Sequence, residues 1–209
     1  MDHKSEFDEK AKAWDDNPQH AQRAQAIAKA IVEAIPIDPT STAMEYGCGT
    51  GLLSFPLRDR FSRITLVDSS QGMLDVLREK IARSAASSIT AVNVDLLKSS
   101  EGLSPPYTVI YSAMVLHHIP DLNAIFSAWH SLLSSPGYLC IADLDSDSGL
   151  FHGMGFTGHN GFDRNDLHKV LEKAGFAEIT FKTVCTIEKE ASDGVKRNFP
   201  LFLIVCKKI

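Results

Sequence analysis

Three alternating glycines close a short apolar run in Met44-Glu45-Tyr46-Gly47-Cys48-Gly49-Thr50-Gly51, and the next apolar run ends on Asp68. Glycines let a backbone turn tightly and come close to a ligand with no side chain in the way. A carboxylate at the end of the neighbouring strand can receive both hydroxyls of a ribose, so this pairing points to a nucleoside lying across two parallel strand ends. The spacing is G-x-G-x-G, and Leu52 stands where the dinucleotide fingerprint needs its last glycine. Asp95 closes a third apolar run, where it can accept from an adenine amine while Leu96 covers the ring. A strand-end aspartate is also an ordinary turn residue, and Asp68 is also suited to capping the helix behind it.

A second set of candidates follows the fourth apolar run. His117 and His118 lie in Met114-Val115-Leu116-His117-His118-Ile119-Pro120-Asp121, and an imidazole has the right intrinsic pKa to move a proton near neutrality. An equally simple reading packs each ring into the loop with a nitrogen bonded to backbone. His152, Phe156 and His159 are spread among Gly149, Gly155, Gly158 and Gly161, a composition that reads as a long loop over a cleft. These rings are candidates for touching substrate, or else form a polar loop surface. Neither their scatter nor the separated Cys48, Cys140, Cys185 and Cys206 provides metal-ligand spacing, so no metal is expected.

Elements that alternate along the chain must hold these residues. Trp14, among charged neighbours, anchors an N-terminal segment against the domain or else marks a mobile tail. Ala24, Ile27, Ile31 and Ile35 recur at helical spacing until Pro36 and Pro39. Ser41 to Tyr46 is the first strand by its place before the glycines. Pro56 predicts a kinked or late-starting helix ending near Arg60. Ile64 to Asp68 is the second strand, and Ser69 or Ser70 starts a helix buried on Met73, Leu74, Leu77 and Ile81.

Ile89 to Val94 and Tyr107 to Tyr111 are the third and fourth strands. A helix with Leu122, Ile125, Phe126, Trp129 and Leu133 on one face stops at Pro136-Gly137, and Tyr138 to Asp145 is the fifth strand. Asp163 caps a helix that Gly175 ends. Ile179 to Ile187 and Phe199 to Cys206 form a hairpin at one edge, with Pro200 at a strand start or on an edge. Strands alternating with helices imply a mostly parallel sheet covered on both faces.

The length of 209 residues supports one sizeable core, and the formal charge of -5 disfavours a generic nucleic-acid binder. No stretch approaches the run of about 20 apolar residues that a membrane span requires. The start, Met1-Asp2-His3-Lys4-Ser5-Glu6, is charged without an apolar signal region behind it, and a cytoplasmic location is expected.

The glycine turn, Leu66-Val67-Asp68-Ser69-Ser70 with Met73, and Asn93-Val94-Asp95-Leu96 resemble the class I S-adenosylmethionine-dependent methyltransferases, in particular the small group acting on small molecules. The resemblance implies a three-layer Rossmann-like α/β fold, a seven-stranded sheet in order 3-2-1-4-5-7-6 and an antiparallel strand 7. It implies an N-terminal segment (residues 1–40) partly closing the cofactor site of the domain at 41–209. In that family Glu45 and the turn Gly47, Cys48, Gly49 and Gly51 would surround the methionyl part of S-adenosylmethionine. Asp68 with Ser69 would hold the ribose, and Met73, Asp95 and Leu96 would meet the adenine. Ser112 and Ala113 would pass near the sulfonium, and Trp14 would close the cofactor side. Met114, His118, His152 and Phe156 would face the substrate, with His117 or His118 as a base.

The expected reaction is methyl transfer to a small-molecule acceptor, with S-adenosylhomocysteine as product, by a monomer or weak homodimer that uses neither nucleic acid nor membrane. Two rivals are a cofactor-binding partner protein without turnover and a nicotinamide-dependent oxidoreductase. The second lacks its last glycine and a Tyr-x-x-x-Lys pair.

Overall fold

The computed structural model describes residues 3–84 and 86–209; Met1 and Asp2 of the charged start lie outside the described residues. A first helix, α1 (His3–Lys10), runs through a 3-10 segment at Ala11–Asp16 into α2 (Pro18–Ala34). Asn17 caps α2 by accepting from the Gln19 amide, with Pro18 in the first turn where its missing N–H costs nothing. The remaining order is β1 (Thr42–Tyr46), α3 (Ser54–Leu57), β2 (Arg63–Asp68), α4 (Gln71–Ser84), β3 (Ile89–Asn93) and β4 (Tyr107–Ala113). After these come α5 (Leu122–Leu132), β5 (Leu133–Leu144), α6 (Arg164–Lys173), β6 (Ala177–Glu190) and β7 (Lys196–Lys208).

The described residues form a seven-stranded sheet in the order β3-β2-β1-β4-β5-β7-β6. β1 to β5 are parallel, whereas β7 runs antiparallel to both β5 and β6. Alternation of side chains along the strands separates two cores. Ala43, Val109, Tyr111, Cys140 and Leu203 face α2, α3 and α4, and Met44, Ile110, Leu139, Ile141 and Phe202 face α5 and α6. This gives three layers around a sheet whose central strands are buried on both sides.

Local details depart from the expected boundaries for physical reasons. β5 begins directly after α5, ahead of Pro136 rather than behind it, and the ladder to β4 shifts register between Tyr107 and Val109 to absorb the interruption. The same shift puts Tyr107 and Val109 on opposite faces although they are two residues apart. Pro200 lies inside β7, but beside the end of the β5 ladder at Leu144–Leu201, and its carbonyl accepts from the Asp145 amide. The donor that proline lacks therefore falls where pairing stops. Asp163 caps α6, and Gly175 ends it with φ 93°. Among the described residues no helix is long and apolar enough to cross a membrane.

Candidate active site

The carboxyl ends of β1, β2 and β4 open into a cleft of about 1070 Å³. Its floor is the turn after β1. The Gly47 and Cys48 amides both donate to the Val67 carbonyl at 2.8 and 3.0 Å, which ties the turn to β2. Gly47 has φ 71°, and a Cβ there would stand 2.3 Å from Val115 Cγ2, so both conformation and space require glycine.

Asp68 ends β2 beside this turn. The Gly49 amide donates to its Oδ2 at 2.7 Å and the Ser70 amide to its Oδ1 at 2.8 Å. Burial pushes its carboxyl upward, and the bonds from Ser70 and Gly49 pull it back. The capping role falls to Ser70, whose Oγ accepts from the Met73 amide at 3.2 Å. Asp68 is thereby oriented, with lone pairs left for a ligand's donors.

Glu45, the penultimate residue of β1, is 3% exposed; the Ser54 hydroxyl donates to it and the Tyr111 hydroxyl lies 2.6 Å from Ser54 Oγ. Desolvation pushes its carboxyl to about 8, despite the opposing Ser54 bond. An ammonium group beside Glu45 would offset that penalty. Asp95 lies just beyond β3 on the cleft wall, accepting from the Leu97 amide at 3.1 Å and pairing with Lys98 at 2.9 Å. The turn role and the cleft position coexist.

Across the cleft stand the imidazoles. His117 Nδ1 lies 2.6 Å from Asp143 Oδ1, and the side chains are 2% and 0% exposed. A carboxylate oxygen accepts, so Nδ1 donates and Nε2 is left as the basic nitrogen. Asp143 is itself fixed by the Leu144 amide at 2.7 Å and the His117 amide at 3.3 Å. The His118 ring packs edge-on to Phe7 and Phe156, while His152 stacks on Phe156 at 3.8 Å. His152 Nε2 is buried without a hydrogen-bond partner, and desolvation lowers this imidazole to about 4.

The cleft thus gathers Trp14, Glu45, Gly47, Cys48, Gly49, Asp68, Ser69, Met73, Asp95, Ala113, Met114, His117, His118, His152 and Phe156. Four expected contacts fall elsewhere. Gly51 faces α4, where a Cβ would meet Leu77 Cδ1 at 2.7 Å. Leu96 turns into the core on the α5 side, and Leu97 takes the cleft wall instead. Ser112 Oγ donates to the Tyr46 carbonyl at 2.8 Å within the sheet. His159 closes the loop by its Nε2 contact with the Ile119 carbonyl at 3.0 Å, away from the cleft lining. Cys48 is buried, and desolvation holds its thiol well above the usual range, which makes it inert.

Residues 44–139 match the methyltransferase domain family. An uncharacterized methyltransferase of Schizosaccharomyces pombe is 28% identical over 162 residues, which are 69% of this chain and 57% of that one. The chain therefore spans little more than half the length of that relative. The solved DhpI complex with S-adenosylhomocysteine superposes with a TM-score of 0.72 at 16% identity, over 98% of this chain and 94% of that one. A solved [4+2]-cyclase, SpnF, has a TM-score of 0.71 at 14% identity, covering 87% and 79%. The chain has the class I S-adenosylmethionine-dependent methyltransferase fold.

Within that methyltransferase fold, several residues in or behind the cleft were not marked by the sequence. Asp143 was legible only as a carboxylate inside the apolar run Leu139 to Leu144. Arg23 and Lys189, from α2 and β6, line the cleft although nothing in their local sequence marks them. Asp8 accepts from the Ser70 hydroxyl at 2.6 Å and the Gly72 amide at 2.8 Å, and Asp15 accepts from Thr50 and Lys80 at 2.6 Å each. Two aspartates thus clasp the N-terminal segment over α4 and the glycine turn, with Phe7 and Trp14 on the cleft.

Proposed function

We propose that this chain transfers the methyl group of S-adenosylmethionine to a small-molecule acceptor. One observation carries the reading. An oriented carboxylate at the end of β2, a glycine turn after β1 and a carboxylate-fixed imidazole after β4 all open into a single cleft. The residues fit the cofactor. Asp68 offers acceptors for the two ribose hydroxyls, and Asp95 offers one for the adenine amine beside Met73. Glu45 waits buried for a cation, and a Cβ at Gly49 would meet nothing nearer than Met73 Sδ at 3.9 Å.

When bound, the cofactor supplies a sulfonium methyl already activated for displacement. The protein's tasks are orientation, exclusion of water and removal of any acceptor proton. Asp143 holds His117 in one tautomer, so that Nε2 can take a proton. Phe7, Trp14, Met114 and Phe156 wall the cleft with apolar surface that limits access of competing water.

Transfer from labelled S-adenosylmethionine across a panel of small metabolites tests the proposal, with S-adenosylhomocysteine binding measured in parallel by calorimetry. Saturable binding with transfer is expected. Tight binding without transfer to any acceptor would favour a cofactor-binding partner protein, and an absence of binding would overturn the reading.

A further inference from the structure

The imidazoles of the cleft are set against one another by backbone contact. The loop between β5 and α6 lies directly on the His117 turn, where the His159 amide donates to the His117 carbonyl at 2.8 Å. A Cβ at Gly158 would stand 2.2 Å from that same carbonyl oxygen, so the loop comes this close only with glycine there. The loop carries His152, whose ring centre is 4.8 Å from that of His117. One small molecule can reach two rings at that spacing through hydrogen bonds of about 3 Å.

The charges around these rings limit what they can receive. The carboxylates lining the cleft are Glu45, Asp68 and Asp95 at the strand ends and Glu6 at the rim. The first three face the cofactor in the methyl-transfer reading, and Glu6 is matched by Lys10. Asp143 is bound to His117, and Asp147 accepts from the Gly149 and Leu150 amides; neither lines the cleft. An ammonium acceptor would therefore lie beside imidazoles, in the field that Lys189 adds at His152, without a counterion. A carboxylate acceptor is already ionised near neutrality and leaves His117 no proton to remove. A hydroxyl is neutral on arrival and loses its proton as it reacts. An imidazole suits an aryl or enol hydroxyl, with a pKa of about 10 as in tyrosine, better than an aliphatic alcohol.

His152 adds a second requirement. Its ring stacks on Phe156 at 3.8 Å with planes 10° apart, and its Nε2 is buried without a hydrogen-bond partner. Desolvation and the neighbouring His117 keep it neutral, so it has one donor and one acceptor nitrogen. A buried ring nitrogen of this kind is costly unless a ligand supplies its partner.

We propose that the acceptor is a flat molecule bearing an aryl or enol hydroxyl with a second oxygen on the neighbouring carbon, the hydroxyl facing His117 and the second oxygen bonded to His152. The assignment rests on the methyl-transfer reading and names its substrate class. As the hydroxyl oxygen bonds to the methyl carbon, the bond from methyl to sulfur breaks with its electron pair left on sulfur. The hydroxyl proton passes to His117 Nε2, and Asp143, already at Nδ1, faces the imidazolium that results. Phe7, Met114 and Phe156 offer apolar surface to the flat body.

Transfer from labelled S-adenosylmethionine to catechol, resorcinol, phenol, aniline and benzoate at neutral pH tests this. The kcat/KM for catechol should exceed that for resorcinol and phenol about tenfold, the worth of one hydrogen bond to a buried group. Aniline and benzoate should stay at background. His152→Phe keeps a ring on Phe156 and removes both nitrogens, and it should bring the ratio of catechol to phenol close to one, through KM more than kcat. His152→Asn, which returns a donor and an acceptor, should restore part of the ratio, and S-adenosylhomocysteine binding checks that each variant is folded. Transfer to aniline or benzoate as fast as to catechol overturns the hydroxyl class. Equal kcat/KM for catechol and phenol, or an undiminished ratio in His152→Phe, overturns the second contact. No transfer to any probe by protein that binds S-adenosylhomocysteine overturns both. Failure of S-adenosylhomocysteine itself to bind would instead overturn the methyl-transfer reading.

Discussion

The two walls of the cleft are built in different ways. The carboxylate wall comes from strand ends, where β1, β2 and β3 finish side by side and each delivers one acid within a few residues of a turn. The opposite wall is assembled from α2, the segment after β4, the loop after β5, and β6. The first wall's geometry follows from strand pairing, and the second depends on packing between distant segments. This difference predicts where substitutions act. Changes in the first wall should alter cofactor affinity, and changes in the second should alter the acceptor and the rate.

The largest effect is expected for Asp68→Ala. Loss of two hydrogen bonds from ribose hydroxyls to a charged acceptor costs about 4 kcal/mol, roughly a thousandfold in the dissociation constant of S-adenosylhomocysteine. Calorimetry measures it, and a thermal melt checks that the fold persists. Near-equal affinity for variant and parent would remove Asp68 from the ribose and erase the contrast between the walls.

Next is His117→Ala, expected to lower kcat about a hundredfold for an acceptor that must lose a proton, with cofactor affinity unchanged. Asp143→Asn is the companion variant, because an amide no longer imposes Nδ1 as the donor. It should displace the pH profile of kcat as well as lowering it. Full turnover in both variants would leave the imidazole wall with a packing role.

The same division decided what could be seen in the sequence. Gly47, Asp68 and Asp95 were legible because each lies beside its own strand end; the alternation of elements implied a mostly parallel sheet, and the strand order followed from the family resemblance. Asp143 was hidden by its apolar neighbours, and its role appears only when β5 lies beside the His117 turn. Arg23 and Lys189 reach the cleft from opposite ends of the chain, so no local spacing marks either. Leu96 and Leu97 show the finer limit: the period at the end of β3 did not determine which leucine would turn toward the cleft.

Glu45 tests the electrostatic side of the comparison in the ligand-free protein. Its carboxyl titrates near 8 in the fold against an ordinary 4.5, so between those values the folded state binds more protons than the unfolded one. Stability from this group is therefore complete below about pH 4.5 and declines as pH rises through 8, at up to about 1.4 kcal/mol per pH unit. Thermal or urea unfolding from pH 5 to 8 should show that decline in the parent and a flatter profile in Glu45→Gln. Equal slopes would mean that the buried acid is already ionised near neutrality.

Ser112→Ala carries the smallest effect and separates geometry from resemblance. The family pattern puts Ser112 beside the cofactor, but here its hydroxyl donates to the Tyr46 carbonyl and the residue is 1% exposed. Removing that bond leaves a buried carbonyl with one donor fewer, at a cost of about 1 kcal/mol in urea unfolding. S-adenosylhomocysteine affinity should not change, because the side chain faces β1 and not the cleft. If affinity fell while stability held, Ser112 would belong to the cofactor wall after all, and the boundary between that wall and the sheet beneath it would lie one strand residue deeper.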